Sequence, residues 1–314
     1  MSAEVKRDVD HSSSIIPTRK TAFVVLNSKA GATESGAEQI SQVRRAFERV
    51  NVDAEVKLVS GEQLADALSA QTECDVVVVG GGDGSISAAA QILADTGKPV
   101  GVLPMGTLNH FAEDLAIPLE LEQAAATIAL GVTREVDLGE VNGRIFINNS
   151  SIGFYARAVE MRDSRREQLG WSKWPALLHS MWRLLRELPH LNVKVSVPNH
   201  SRRIKTPFIF VGNNHYELSL ASPSKRACLD RGELGVHVAK TSNAAGFLRL
   251  ALHAAAGRLN ETSDCDSMRL SELTIDSARH FLRVAHDGEV TRMRPPLRYR
   301  SRPRALKVIV PEQV

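Results

Sequence analysis

The residues best suited to chemistry lie in one stretch, VVVVGGGDGS, from Val76 to Ser85. Glycines let a backbone approach an anion, and the amide groups at the start of a helix favour its negative charge. A tight turn that binds nothing would not need four glycines. The predicted phosphate-binding residues are Gly80, Gly81, Gly82, Gly84 and Ser85. An aspartate among them would repel a phosphate, so Asp83 is predicted to face Mg²⁺ or a hydroxyl group.

Two familiar phosphate motifs are excluded. The P-loop pattern GxxxxGK[ST] is absent, and the dinucleotide pattern GxGxxG fails because Ser85 stands where the third glycine belongs. The turn follows a buried strand, as in those proteins, but its chemistry is different.

Apolar strands alternate with helical patterns from Ala22 to about Ala129, which predicts a doubly wound parallel sheet with helices on both faces. Ligands bind such sheets at the carboxyl ends of the strands. Three polar, glycine-containing loops follow predicted strands, at Asn27–Gly31, Gly80–Ser85 and Pro104–Asn109. We therefore expect these loops to meet in one site.

From about Glu135 short alternating runs predict a second, mostly antiparallel β-sandwich domain, with helices near Ser172–Leu188 and Ala244–His253. The predicted divisions are a disordered tail at 1–20, an α/β domain at 21–138 and a β-sandwich domain at 139–295. The last segment reads as two more strands.

Composition restricts the class of protein. The net charge of +3 gives no global field for nucleic acid, and no apolar run could span a bilayer. The first residues lack an apolar signal core, and the three scattered cysteines fit a reducing compartment, so we expect a cytoplasmic protein. His215, His237 and His286 show no ligand spacing and are predicted to be surface or packing residues.

Three motifs in order, GGGDGS, LPMGTLNHFA and a late HDGE, resemble the diacylglycerol kinase catalytic family. That family includes bacterial lipid kinases, sphingosine kinases and ceramide kinases, and NAD kinases and phosphofructokinases are more distant relatives. The resemblance covers nearly the whole chain after the tail. It implies a nucleotide cleft between the two domains and the return of the final strands, 296–312, to the first domain.

The resemblance implies transfer of a phosphoryl group from ATP, with Mg²⁺, to a lipid hydroxyl. The residues that it assigns to the nucleotide, besides the glycine turn, are Asn27, Gly31, Gly106, Thr107 and Asn109. Ser60 either contacts the nucleotide or only caps the next helix. The base is open between two carboxylates: Glu289, with Asp287 beside it, is favoured, and Asp83 would then orient Mg²⁺ or the hydroxyl. The Asp-Gly pair at 287–288 is also a hairpin signal.

Two positions depart from the family pattern. His110 stands where relatives have an aspartate after Asn109, and Arg231 replaces an acid in the Leu229–Gly232 turn. Bacterial relatives hold a structural Mg²⁺ near that acid, and an arginine there would repel it. Asp230 alone is equally consistent with a turn residue.

Three functions are open at this stage. They are a kinase for diacylglycerol or a similar acylated alcohol, a kinase for ceramide or a sphingoid base, and a nucleotide-binding regulator that has lost activity. Asp83 and Glu289 argue against the regulator, whereas His110 and Arg231 keep it open. An NAD kinase is disfavoured by the tryptophan-rich segment.

All three tryptophans lie between Arg157 and Leu188, among many arginines. Tryptophan favours the headgroup boundary and arginine favours anionic lipid. The segment from Arg157 to Trp174 is therefore expected to contact the membrane surface, which predicts peripheral membrane association. The leucine stripe after it suits packing on the sandwich. A homodimer is left open.

Overall fold

The computed structural model of the 314-residue chain describes residues 19–30, 35–70, 73–154, 190–198, 200–215, 226, 228–241, 245–246, 249, 253 and 264–312. None of the helices within these ranges has the length and apolar composition needed to cross a membrane. Gly31, the segment from Arg157 to Trp174 and the helix predicted at Ser172–Leu188 lie outside the described residues, as does most of the helix predicted at Ala244–His253.

The first part of the chain alternates strands and helices. Its elements are β1 (Lys20–Asn27), α1 (Gly36–Arg49), β2 (Val52–Val59), α2 (Leu64–Ser69), β3 (Val76–Gly81), α3 (Asp83–Leu93), β4 (Pro99–Pro104), α4 (His110–Asp114) and α5 (Leu121–Leu130). Strands β2, β1, β3 and β4 are neighbours in that order and all pair in parallel.

Every residue of the central strand β3 is buried, because helices cover both faces of the parallel strands. One core cluster contains Phe47 of α1 and Ile128 of α5, and the other contains Leu68 of α2, Leu93 of α3 and Phe111 of α4. A strand buried on both faces needs apolar residues at every position, which is why Val76–Val79 has no polar alternation.

The second part is antiparallel. Its strands are β5 (Val132–Val141), β6 (Arg144–Phe146), β7 (Asn149–Gly153), β8 (Leu191–Val197), β9 (His200–Thr206), β10 (Phe208–Asn213), β11 (Leu234–Ala239), β12 (Cys265–Leu270), β13 (Glu272–Asp276), β14 (Leu282–His286), β15 (Glu289–Met293) and β16 (Leu297–Val310). Six of them form a sheet in the order β12-β11-β10-β7-β14-β15. Its inner face packs on β8, β13 and β16 through a separate core, so the predicted α/β class with an antiparallel sandwich is confirmed.

Strand β16 joins the two parts. Lys307 and Val308 pair in parallel with β4, whereas Leu297–Arg300 pairs antiparallel with β13. A ten-stranded sheet therefore runs without a break from the parallel strands into the antiparallel ones.

The sequence analysis expected two strands in this last segment, but the structure has one strand of 14 residues. Its register against β5 shifts between Arg302 and Leu306. Pro303 lies at this shift, and a proline at a bulge removes no ladder hydrogen bond, so the strand stays intact.

The alternating run Leu270–Ile275 predicts one strand, but in the structure it belongs to two. It is divided between β12, which ends at Leu270, and β13, which begins at Glu272. Strands β9 and β15 were not predicted, because both carry arginines and few apolar residues.

We predict that His237 makes the protein less stable in acid. Burial, with a contribution from His215, lowers the pKa of His237 to about 4. The unfolded chain therefore binds a proton near pH 6.5 that the folded protein does not accept until about pH 4. Stability should decrease as pH falls through this window, by up to about 3 kcal/mol.

The measurement is the free energy of unfolding in urea at several pH values for wild type and His237→Phe. The variant should show a flatter dependence between pH 7 and pH 4. The matched control is His200→Phe, because His200 is exposed. An unchanged pH dependence in His237→Phe would contradict the prediction.

Candidate active site

The carboxyl ends of β1, β3 and β4 meet as predicted for a parallel sheet. The amide of Met105, after β4, donates to the carbonyl of Gly81 at 3.0 Å. The next residues approach even more closely, since a Cβ placed on Gly106 would lie 2.4 Å from the Cα of Gly82. Only glycines permit this contact between the two loops, so their backbones form one continuous surface.

Helix α3 begins at Asp83, three residues before the predicted start at Ile86. Gly82 is its N-cap in an extended conformation (φ −89°, ψ −177°), and no side chain caps the helix. Asp83 therefore lies in the first turn, where a carboxylate interacts favourably with the helix dipole. The positive end of α3 faces the loops of the neighbouring strands.

Asp83 also holds the loop that follows β4. Its Oδ2 accepts a hydrogen bond from the amide of His110 at 3.1 Å, and its Oδ1 accepts one from the amide of Phe111 at 3.0 Å. These amides begin helix α4, whose own N-cap, Asn109, has a left-handed φ of 52°. Asp83 thus caps α4 from a distance, which the sequence did not reveal, and each carboxylate oxygen keeps a lone pair for a further partner.

Side-chain amides lock the first and third loops. Asn27 Nδ2 donates to Ser85 Oγ at 2.8 Å and thereby joins the end of β1 to α3. Asn109 bonds the backbone of Gly106 with both its Oδ1 and its Nδ2 at 2.9 Å. The structure therefore brings Asn27, Ser85, Gly106 and Asn109 together at one edge.

Three other predicted nucleotide residues have different positions. Gly80 is buried inside β3, where a Cβ would lie 2.3 Å from Leu26 Cδ2, so packing explains this glycine. Thr107 is exposed at the loop surface. Ser60 is the N-cap of a short 3₁₀ turn, and its amide and hydroxyl both contact Gln63 Oε1, at 3.3 and 3.2 Å.

Glu289 comes to this edge from the second sheet. It is the exposed first residue of β15, and a Cβ placed on Gly84 would lie 3.7 Å from its Oε1. Within the described part of the chain it forms no ion pair. The carboxylate of Glu289 therefore lies over the start of α3, although 205 positions separate the numbers 84 and 289.

Asp287 has a different environment from its neighbour. Its Oδ2 accepts from the amide of Ile147 at 2.8 Å, and its Oδ1 accepts from the amides of Asn148 and Asn149 at 2.9 and 3.1 Å. Burial raises the pKa of this carboxyl, and the donors, which include the side chain of Ser87, oppose that shift. With its oxygens engaged in this way, Asp287 is placed to hold the β6–β7 connection against α3.

A buried ion pair lies behind the site, and no local pattern in the sequence predicted it. Arg226 Nε donates to Asp114 Oδ2 at 2.7 Å, and both side chains are almost fully buried, at 0% and 2% exposure. The same guanidinium donates to the carbonyl of Ile147 at 2.6 Å and to Asn148 Oδ1 at 3.0 Å. Burial raises the pKa of Asp114, and Arg226 opposes this change. The pair therefore ties α4 to the second sheet.

The two residues that depart from the family pattern, His110 and Arg231, make different contacts. His110 donates its amide hydrogen to Asp83, and its Nδ1 is buried with no hydrogen-bond partner among the described residues. Asp230 faces Arg134 at 3.4 Å, and the amide of Arg231 donates to Asn214 Oδ1. Across the residues that the structure describes, no group of three or more His, Cys, Asp or Glu is arranged to hold a metal ion.

The fold and the site define an α/β protein with glycine loops at the carboxyl ends of its parallel strands, faced by a carboxylate from an antiparallel sandwich. Comparison with known families agrees with this class. The model of the diacylglycerol kinase catalytic domain matches residues 21–141, and the model of the YegS C-terminal NAD kinase beta sandwich-like domain matches residues 149–310. The chain belongs to the lipid kinase family that joins these two domains, and a kinase family implies ATP as a co-substrate.

Individual relatives carry matching names. "Diacylglycerol kinase" of Bacillus subtilis (strain 168) is 36% identical over 135 residues, which are 41% of this chain and 44% of that protein. "Probable lipid kinase YegS-like" of Pseudomonas syringae pv. syringae (strain B728a) is 32% identical over 44% of this chain and 45% of its own, so both matches span less than half of the relative. The protein of the same name from Pseudomonas savastanoi pv. phaseolicola (strain 1448A / Race 6) is 27% identical over 94% of each chain.

A solved structure confirms the fold. A diacylglycerol kinase from Bacillus anthracis str. Sterne superposes with a TM-score of 0.65, at 17% identity, over 93% of this chain and 97% of that one.

We predict that Asp287 contributes to stability through its three amide partners. Asp287→Ala would leave these amides without their acceptor, and hydrogen bonds to a charged group contribute about 1.5–3 kcal/mol each. The free energy of unfolding should therefore fall by about 3 kcal/mol or more. Urea denaturation measures the change, with Asp53→Ala as a control because Asp53 is exposed on β2. Equal stability of both variants would contradict this role.

Proposed function

We propose that this protein is an ATP-dependent lipid kinase that transfers the γ-phosphate to the hydroxyl of diacylglycerol or a similar acylated alcohol. The observation that carries the proposal is the carboxylate of Glu289 over Gly84, at the start of α3. Phosphoryl transfer needs held phosphates and a base within reach of the attacking hydroxyl. The name of the Bacillus subtilis relative supports diacylglycerol as the acceptor.

The glycine surface fits the phosphates of a nucleotide. A Cβ on Gly82 would lie 3.2 Å from the Cα of Gly106, so no side chain separates the two loops. In this proposal the amides of Gly81, Gly82 and Gly84 and the dipole of α3 hold the phosphates, while Asn27 and Asn109 keep the neighbouring loops in place.

Magnesium would enter this site with the nucleotide. The described residues offer single carboxylates, Asp83 and Glu289, instead of a cluster of ligands. Mg²⁺ is commonly held by one or two carboxylates together with substrate phosphates, and it supplies neutralisation of phosphate charge. Asp83, with both oxygens already accepting from α4, would orient its remaining lone pairs towards that cation.

Glu289 would act as the general base. It is exposed, it lies at the edge of the sheet, and its position over the helix start would let it accept the proton of a bound lipid hydroxyl. Asp287 would act as a positioning residue, since it fixes the turn that carries Glu289. An acceptor that resides in a bilayer would place the enzyme at a membrane surface inside the cell.

The test is transfer of labelled phosphate from ATP to a panel of lipids in mixed micelles. We expect diacylglycerol to be phosphorylated in preference to ceramide and sphingosine. Glu289→Gln should lower kcat by about 100-fold or more, without a change in thermal unfolding, because the side chain is exposed. Glu48→Gln, exposed on α1, is the matched control.

Two results would count against the proposal. A kcat of Glu289→Gln close to that of wild type would transfer the role of base to Asp83. Binding of ATP without transfer to any lipid would favour the nucleotide-binding regulator.

We also predict that Gly106→Ala impairs ATP binding. The new Cβ would overlap the backbone of Gly82, so the two loops must separate. We expect the KM for ATP to rise about tenfold or more, because a separation of an ångström at a binding site has effects of this order. Gly61→Ala is the control, since its Cβ would meet nothing closer than 3.7 Å. Equal KM values for the two variants would argue against the glycine surface as the phosphate site.

A further inference from the structure

Exposed arginines surround an exposed phenylalanine at one end of the six-stranded sheet. This arginine patch consists of Arg279, Phe281, Arg283, Arg292 and Arg294. The ring of Phe281 is 50% exposed, and Arg294 Cζ lies 5.4 Å from its centroid. The patch concentrates positive charge on one surface, although the whole chain has a net charge of only +3.

The patch borders an open cavity of about 260 Å³. Its lining residues are Gly153, Leu191, Arg279, Phe281, Leu282, Arg283 and Arg292, and no acid is among these described residues. Arg283 and Arg292 are directly opposite each other on β14 and β15, so their side chains leave the same face of the sheet. The cavity therefore combines three guanidinium groups with an apolar wall.

Two patch arginines have no acidic partner among the residues that the structure describes. Within the described part of the chain, neither Arg292 nor Arg294 forms an ion pair. Arg279 uses one nitrogen to donate to the carbonyl of His190 at 3.2 Å, which keeps its guanidinium at the cavity. The guanidinium group matches phosphate geometry and is only weakly hydrated, so this cavity suits a phosphate group.

We propose that the arginine patch docks on a bilayer that contains anionic phospholipids, with a headgroup phosphate in the cavity and Phe281 at the headgroup boundary. Arginines gain affinity near an anionic leaflet, and an exposed aromatic ring beside them favours the interface over a purely polar partner such as DNA. The inference rests on the proposed function, which places the acceptor lipid in the bilayer.

The patch and the proposed base share one strand. Glu289 begins β15, and Arg292 follows three residues later, at a distance of about 10 Å along the strand. Their side chains leave opposite faces, since side chains alternate along a strand. The arginine patch and the proposed base therefore lie on opposite faces of β15, about 10 Å apart along the strand.

The test is sedimentation of the full chain with vesicles in the absence of ATP. The vesicles contain phosphatidylcholine alone or phosphatidylcholine mixed with phosphatidylglycerol. An arginine at an anionic surface contributes about fivefold in partitioning, so Arg292→Gln/Arg294→Gln should bind the mixed vesicles about 25-fold more weakly than wild type. Binding of wild type should weaken as salt is added.

The matched control is Arg44→Gln/Arg45→Gln, which removes the same charge from exposed positions of α1. It should bind the mixed vesicles within about twofold of wild type. Phe281→Ser should also weaken binding, because it removes the ring from the interface. Equal loss in both double variants, or no loss in the patch variant, would overturn the proposal.

A separate assay keeps this inference distinct from the proposed function. Transfer of phosphate to a short-chain diacylglycerol dissolved as monomers needs no bilayer, so Arg292→Gln/Arg294→Gln should retain the kcat of wild type there. If wild type transfers no phosphate to any lipid, the proposed function fails, whatever the vesicle result. If transfer occurs and the patch variant binds vesicles as wild type does, only the docking surface fails.

Discussion

The site depends on the hydrogen bonds that the carboxylate of Asp287 accepts. This carboxylate lies in a turn of the second sheet and accepts hydrogen bonds from three successive amides of the β6–β7 connection and from Ser87 of α3. One buried charge thereby fixes the turn, the connection and the helix relative to each other. A buried carboxylate is stable only with such donors, so the arrangement permits little variation. Glu289, two residues later, is consequently held over Gly84.

A second buried charge acts on the other side of the same connection. Arg226 bonds the carbonyl of Ile147 and the side chain of Asn148, and it pairs with Asp114 at the end of α4. The start of α4 is capped by Asp83 in the glycine turn. Breaking the Arg226–Asp114 pair would leave a buried charge without its partner, which costs far more than an exposed pair contributes. The glycine turn, α4 and the second sheet are therefore coupled through polar contacts that are not part of the chemistry.

The shared strand β16 extends this coupling to the backbone. It pairs in parallel with β4, whose loop carries Gly106, and antiparallel with β13 and β5. Glu140 of β5 reinforces the pairing. Burial raises the pKa of its carboxyl, but hydrogen bonds from Arg300 and Arg302 of β16 outweigh this effect and hold the pKa below its usual value. Strand β16 thus joins the sheet of the glycine loops to β13 and β5, whereas Glu289 lies on the separate six-stranded sheet.

The sequence by itself determined the class of the fold and the glycine turn. Uninterrupted apolar runs such as Val76–Val79 must be buried on both faces of a sheet. A strand in which apolar and polar residues alternate must have one exposed face. The local pattern was therefore sufficient to predict the class of the fold. It also led to the prediction that Asp83 and Glu289 are the carboxylates that take part in the chemistry. The tertiary structure alone decided their partners: the cap from Asp83 to α4, the amides around Asp287, and the ion pair between Arg226 and Asp114. Such contacts join residues far apart in the chain, and no local period or propensity records which amide a given carboxylate will meet.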